Sequence, residues 1–259
     1  MNARVVGLLV APIKGLRVVA REAVELGADG VRENRRFFLV DAEHQMINGK
    51  RLNSLQAVLA DYSDADRTLS LRFPDETVVT GPVRHGRRLV AGFFSTTVGA
   101  IEVLGPWSDA LSEHVGAAVR LVEAEAPAGA VDRGQDGAVS LISRATVERL
   151  TRVAGLERPI DARRFRMLFE IDGTTAHEED GWLARTVAIG EAKVMLQGHV
   201  GRCLVTKLDP DTGVRDLETL DILASYRRGA ATTEPLACGV YGAIVAPGTV
   251  RVGDSVELV

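Results

Sequence analysis

Cysteine is scarce in this chain of 259 residues, which carries only Cys203 and Cys238. Two thiols cannot make a disulfide framework, and no CxxC pair suggests a dithiol redox motif. Long hydrophobic runs are missing as well. No apolar segment approaches the roughly 20 residues that cross a bilayer. The run before Pro12 and Lys14 is too short for a secretory signal. Both absences lead to the expectation of a cytoplasmic, soluble protein with no membrane partner. A basic excess is absent too: the formal net charge is −4. That argues against a nucleic-acid binder and leaves room for a local basic pocket. The histidines (His44, His85, His114, His177 and His199) lack the close spacings of a zinc site. Neither a GxxxxGK(S/T) loop nor a dinucleotide fingerprint is present. Aromatics make up 5% of the chain.

What remains is rich in valine, leucine and glycine, a mix that favours short strands and tight turns. The length suits one large domain or two modest ones. Residues 5–10 read as a buried strand broken at Pro12-Ile13-Lys14-Gly15, 18–26 as a second, and 37–40 as a third. Strands at 69–73 and 77–80 flank Pro74-Asp75-Glu76. A helix from Trp107 stops at Gly116, and 119–122 resumes strand character. Residues 125–137, with Ala-Pro-Ala-Gly-Ala, form the best linker candidate, which divides the chain into 1–124 and 125–259. Beyond it Ser143 caps a helix that runs to about Ala154. Strands follow at 165–171, 182–189 and 192–197, then an amphipathic helix at 217–228. The tail, 239–259, reads as two strands across Pro247-Gly248. The fold class is mainly β with covering helices (α+β).

The most informative stretch is Arg202-Cys203-Leu204-Val205-Thr206-Lys207-Leu208-Asp209-Pro210-Asp211-Thr212-Gly213. It sets a cysteine at the head of a short alternating run that stops at a turn. Pro210 fixes φ, the Asp side chains can bond nearby backbone, and Gly213 can take positive φ. A guanidinium beside a thiol favours the thiolate, the form that binds metal or attacks. A cysteine that merely packs in the core is the alternative. His199, four residues upstream, reads either as a proton donor or as a structural imidazole. In Arg163-Arg164-Phe165-Arg166, read as strand, alternation sends at least one arginine to solvent.

These residues resemble the MOSC domain family, the molybdenum cofactor sulfurase C-terminal domain. The likeness rests on Arg202-Cys203, Thr206 and Asp209-Pro210-Asp211-Thr212-Gly213. Glu179-Asp180-Gly181-Trp182 before Ile189-Gly190, and Gly239-Val240-Tyr241 before Val252-Gly253-Asp254, extend it. Pro12-Ile13-Lys14 and Asn34-Arg35-Arg36-Phe37 stand where the family has Pro-Val-Lys-Ser and Asp-Arg-x-Trp. The whole chain is similar to longer members with an N-terminal MOSC β-barrel domain, such as the amidoxime-reducing components. The resemblance implies a MOSC-type β-barrel at 125–259 and a smaller barrel-like domain at 1–124, whose first strands can also pack on the second.

It also implies a molybdenum-molybdopterin cofactor with Cys203 as metal ligand and catalytic residue, since a soft thiolate suits a metal already held by dithiolene sulfur. Lys14, Arg35 and Arg166 resemble positions that cradle pterin and phosphate. Arg164, Arg202, and Ser143 with Thr146 at a helix start, join them as candidates. The implied activity is reduction of N-oxygenated compounds, in which molybdenum cycles between Mo(IV) and Mo(VI) and the oxygen leaves as water. Without an iron–sulfur cysteine set or a flavin motif, electrons come from a separate reductase or ferredoxin-like partner. A non-redox carrier of cofactor or sulfur, or a metal-free binding module, are the alternatives. Pyridoxal phosphate binding attaches to the family through its desulfurase domain, for which the chain is too short. Gly15 replaces serine, Asn34 aspartate and Phe37 tryptophan, and Met167-Leu168 replaces Pro-Asn. The last change implies a pocket that reads a different substrate.

Overall fold

A computed structural model describes residues 3–125 and 135–259. Seven strands close on themselves in the order Phe169–Asp172, Val139–Ser143, Ala237–Ala246, Ala192–Gly201, Thr186–Ile189, Ser255–Leu258 and Ala3–Val10. The last pairs back onto Phe169–Asp172, where Leu8 faces Phe169. Antiparallel neighbours dominate, and Val139–Ser143 runs parallel to Phe169–Asp172. A parallel pair needs a crossover, and helix Arg144–Val153 supplies it. Ser143 caps that helix by accepting from the Thr146 amide at 3.1 Å, and Gly155 follows at φ +65. Alternate residues fill the barrel, among them Val5, Leu141, Phe169, Val187, Val194, Leu196, Val240 and Val256. Alternation is what a half-buried sheet requires.

A second sheet carries the order Arg84–Phe93, Thr96–Leu104, Arg120–Ala124, Phe37–Val40, Met46–Ile47. Beside it lie a three-stranded sheet of Leu59–Ser63, Thr68–Arg72 and Val78–Pro82, and helix Trp107–Val115. Their shared core holds Phe37, Leu39, Leu55, Leu69, Leu71, Trp107 and Leu121. The chain's first strand therefore belongs to the barrel, and Ala23–Gly27 pairs with Gly248–Arg251 near the C-terminus. The mainly β class with covering helices agrees with the sequence reading. Among the described residues no helix is long and apolar enough to cross a membrane.

Several local expectations fail. The strand expected at 18–26 is two, Val19–Ala20 and Ala23–Gly27, each in a different sheet. The run after Cys203 is one turn of 3-10 helix, Leu204–Lys207, which the Thr206 hydroxyl closes by donating to the Cys203 carbonyl. Residues 165–168 are not strand either: Ala162–Phe165 forms a 3-10 turn capped by Arg166 at φ 53. Of the 125–137 linker, residues 126–134 lie outside the described part.

Burial ranks the positions for mutation. Phe169 is fully buried in the barrel core and Val90 is 64% exposed on the second sheet. Phe169→Ala should cost about 3–5 kcal/mol in urea unfolding, and Val90→Ala under about 0.5 kcal/mol. Equal losses at the two positions would contradict the assigned core.

Candidate cofactor site

Residues from both halves of the chain line a cavity of about 430 Å³. Six of them are basic: Lys14, Arg35, Lys50, Arg164, Arg166 and Arg202. Among the described residues no Asp or Glu lines it. The Cys203 thiol is on the wall, partly exposed. Cys238 is fully buried instead, and desolvation pushes its thiol up to about 12. The two cysteines are thus separated by environment.

Each cation is placed by backbone. Lys14 leaves the first strand at Pro12, and its amide donates to the Phe37 carbonyl at 2.8 Å. Its ammonium lies over Phe93 and Phe94, 5.4 and 5.5 Å from the ring centroids. Burial lowers its pKa well below the ordinary lysine value, and the charges of Arg35 and Arg166 push the same way. Arg35 sits at φ 54 and donates through Nη2 to the Arg166 carbonyl at 2.9 Å. Arg166 donates through Nη1 to Gln56 Oε1 at 3.0 Å. Burial brings Arg166 down to about 10, with Cys203 opposing. Desolvated cations facing one another are costly, and an anion in the cavity relieves them all at once.

Cys203 ends the Ala192–Gly201 strand's excursion and opens the Leu204–Lys207 turn, its carbonyl accepting from the Thr206 amide and hydroxyl. Thr206 in turn meets buried Thr219 at 2.6 Å. The donors of Arg202 go to backbone. Its guanidinium donates to the carbonyls of Phe165 and Cys238 and lies over the Phe165 ring. Gly239 leaves room for that fork, since a Cβ there would sit 3.3 Å from Arg202 Nη2 and 2.7 Å from the Leu141 carbonyl.

The turn beyond is a clamp. Asp209 accepts from the amides of Asp211 and Thr212. Asp211 takes a two-pronged grip from Arg163 at 2.8 and 2.7 Å and pairs with Arg17 of the first half at 3.4 Å. Gly213, at φ +74, lies so close to Asn53 that a Cβ would stand 2.1 Å from its carbonyl oxygen. Asp216 likewise grips Arg164 at 2.7 Å through both nitrogens.

Two family models match: MOSC domain over residues 128–257 and MOSC N-terminal beta barrel domain over 2–101. The chain belongs to the MOSC domain family. Among relatives, "Mitochondrial amidoxime-reducing component 1" of Mus musculus is 38% identical over 46% of this chain and 35% of its own length. "Mitochondrial amidoxime reducing component 2" of Bos taurus is 28% identical over 96% of this chain and 81% of its own. "Molybdenum cofactor sulfurase" of Caenorhabditis elegans is 26% identical over 92% of this chain and 33% of its own. The first two relatives by similarity are thus matched over only about a third of their lengths.

Within this MOSC chain the structure brings Lys14, Arg35, Arg166, Arg202 and Cys203 to one cavity. Arg164 reaches the wall with its fork committed to Asp216. Ser143 and Thr146 are buried away from it, bonded to each other and, through Thr146 Oγ1, to Glu179 at 2.9 Å. His199 sits behind the wall with Nδ1 accepting from the Thr233 amide at 3.0 Å, and burial lowers its pKa. Of the pair on the 3-10 turn, Arg163 keeps a third of its side chain in solvent while gripping Asp211, and Arg164 is buried against Asp216. Leu168 belongs to the barrel core rather than the pocket; Met167 lines the cavity instead. Sequence reading missed Lys50, Gln56 and Phe94. Asn48-Gly49-Lys50 carried a turn signal, whereas Gln56 and Phe94 had no local mark.

Arg163 holds the Asp211 carboxyl below the ordinary carboxylate range. A depressed native value gives stability above the unfolded pKa that is lost as pH falls through the native one. Asp211→Asn should therefore be less stable than the parent near pH 7, and the gap should shrink below about pH 4. Urea midpoints across that range measure it; a gap constant with pH would remove Arg163–Asp211 as the cause.

Proposed function

We propose that this chain is a molybdenum-cofactor-binding oxidoreductase that reduces N-hydroxylated compounds by removing their oxygen. One observation carries the reading: a cavity lined by desolvated cations, with no carboxylate among the described residues, holds a partly exposed cysteine. Such a donor set fits the group chemically. The pterin's phosphate is a dianion that lysine meets as a point charge and arginine as a fork. A thiolate suits a soft metal.

Lys14, Arg35 and Arg166 would hold the phosphate and pterin, and Cys203 would ligate molybdenum. Arg202 and Arg164 act as positioning residues, because their donors are already engaged by carbonyls and by Asp216. The bound cofactor supplies two-electron oxygen-atom chemistry; the protein binds, orients and shields. A separate reductase or ferredoxin-like protein supplies the electrons. The relatives named for amidoxime reduction support this activity. The division into 1–124 and 125–259 belongs to the same reading, with the cavity built from both.

The similarity to a molybdenum cofactor sulfurase over 92% of this chain favours a second reading, a non-redox carrier of cofactor or sulfur. Turnover separates them. Protein loaded in a cofactor-competent host should reduce benzamidoxime with an artificial reductant; fully loaded protein that does not turn over is the carrier. Cys203→Ala should abolish turnover and lower molybdenum content while pterin, read as oxidised-pterin fluorescence, persists. Arg166→Ala should lower pterin content about tenfold. Unchanged molybdenum and turnover in Cys203→Ala would defeat the ligand assignment.

A further inference from the structure

We propose that Phe94 is a specificity-determining residue that selects substrates bearing a flat aryl group, an inference that rests on the reductase reading of the same cavity. Phe94 opens the two-residue tip between strands Arg84–Phe93 and Thr96–Leu104. Its φ is 55, a left-handed conformation that bulky residues avoid and that glycine or asparagine usually fills in such tips. The ring is 65% exposed and yet lines the cavity. Strain and exposure at one bulky side chain are both unfavourable for the free protein, and functional sites are where such costs cluster.

The tip is also built to hold the ring still. Phe93 lies beneath it edge-on, 5.2 Å between centroids. Phe93 is itself buried against Phe38 at 5.5 Å. Thr96 donates its hydroxyl to the Phe93 carbonyl at 3.0 Å, closing the turn. Two ammonium groups flank the exposed ring, Lys14 at 5.5 Å and Lys50 at 5.9 Å.

An aryl group that covers Phe94 removes its apolar face from water and adds a ring–ring interaction that an alkyl group cannot supply. Lys50 beside it leaves a polar edge to the same face, where the N–O end of the molecule can accept a hydrogen bond. Aryl preference, rather than overall affinity, is therefore the property that Phe94 sets.

The test uses the full molybdenum-loaded chain and two probes, benzamidoxime and acetamidoxime, with equilibrium binding by calorimetry and turnover measured separately. Phe94→Leu keeps apolar bulk without the ring, and Phe94→Tyr keeps the ring. Phe94→Leu should weaken benzamidoxime binding about 3- to 10-fold and leave acetamidoxime within about twofold. Phe94→Tyr should restore the preference. Molybdenum and pterin contents should match the parent in both. The inference is overturned by equal losses for the two probes, by unchanged benzamidoxime binding, or by a parent protein without aryl preference. Parent protein that binds with the preference but turns over neither probe would instead sink the reductase reading alone.

Discussion

Sorting of arginine charge is the constraint on which the site depends. Four residues of one short segment, Arg163-Arg164-Phe165-Arg166, must point in opposing senses. The 3-10 turn and the left-handed Arg166 achieve this where a strand could not. Arg163 and Arg164 turn toward Asp211 and Asp216, each through paired hydrogen bonds. Arg166 turns into the cavity, where an amide oxygen of Gln56 is its partner. Bidentate carboxylate pairs satisfy the first two, and buried charge left without such a counterpart lowers the affinity of Arg166 for its proton. One segment thus supplies both the neutral frame and the charged wall.

The same frame ties the two halves together. Asp211 is reached by Arg17 from the first half as well as Arg163 from the second. Gly213 accepts the close approach of Asn53, which opens the same 3-10 segment that carries Gln56. Arg35 closes the opposite side by donating to the Arg166 carbonyl. The motif after Cys203 therefore does more than end a turn. It fixes the distance between the wall bearing Lys14 and Arg35 and the wall bearing Arg166 and Cys203. A cavity lined by residues far apart in the chain needs such cross-ties to hold its walls in register.

Legibility in the sequence followed the range of the interactions. The Trp107–Val115 and Arg144–Val153 helices could be read because Gly116 and Ser143 are local signals at their ends. Strand Phe37–Val40 was equally plain, an apolar run buried along its length. Hairpin Arg84–Leu104 left no such trace: its residues face solvent and core unevenly, with a register shift between His85 and Arg88. Five of the six cavity cations came from a resemblance between motifs, whereas Lys50, Gln56 and Phe94 arrive by tertiary packing. Ser143 and Thr146 show the reverse case. Their hydroxyls carry a good N-cap signal and are consumed by it and by Glu179, which leaves nothing for a ligand.

The departures from the family pattern fall mostly behind the wall. Asn34 is buried and holds the Ala11 amide through its side-chain oxygen at 3.0 Å, which positions the bend carrying Lys14. Phe37 packs edge-on against Tyr62 in the first-half core, 5.0 Å between centroids. Leu168 joins the barrel interior. Each replaces a polar or larger group where packing decides the fit, and a core tolerates such exchanges when volume is balanced nearby. Gly15, Asn34 and Met167 reach the cavity, Gly15 offering backbone in place of a hydroxyl. Changes in the core leave the cationic wall in place, and the changes that do reach the cavity, at Gly15, Asn34 and Met167, lie beside its cations. There Lys50 and Phe94 come from turns that the barrel does not constrain.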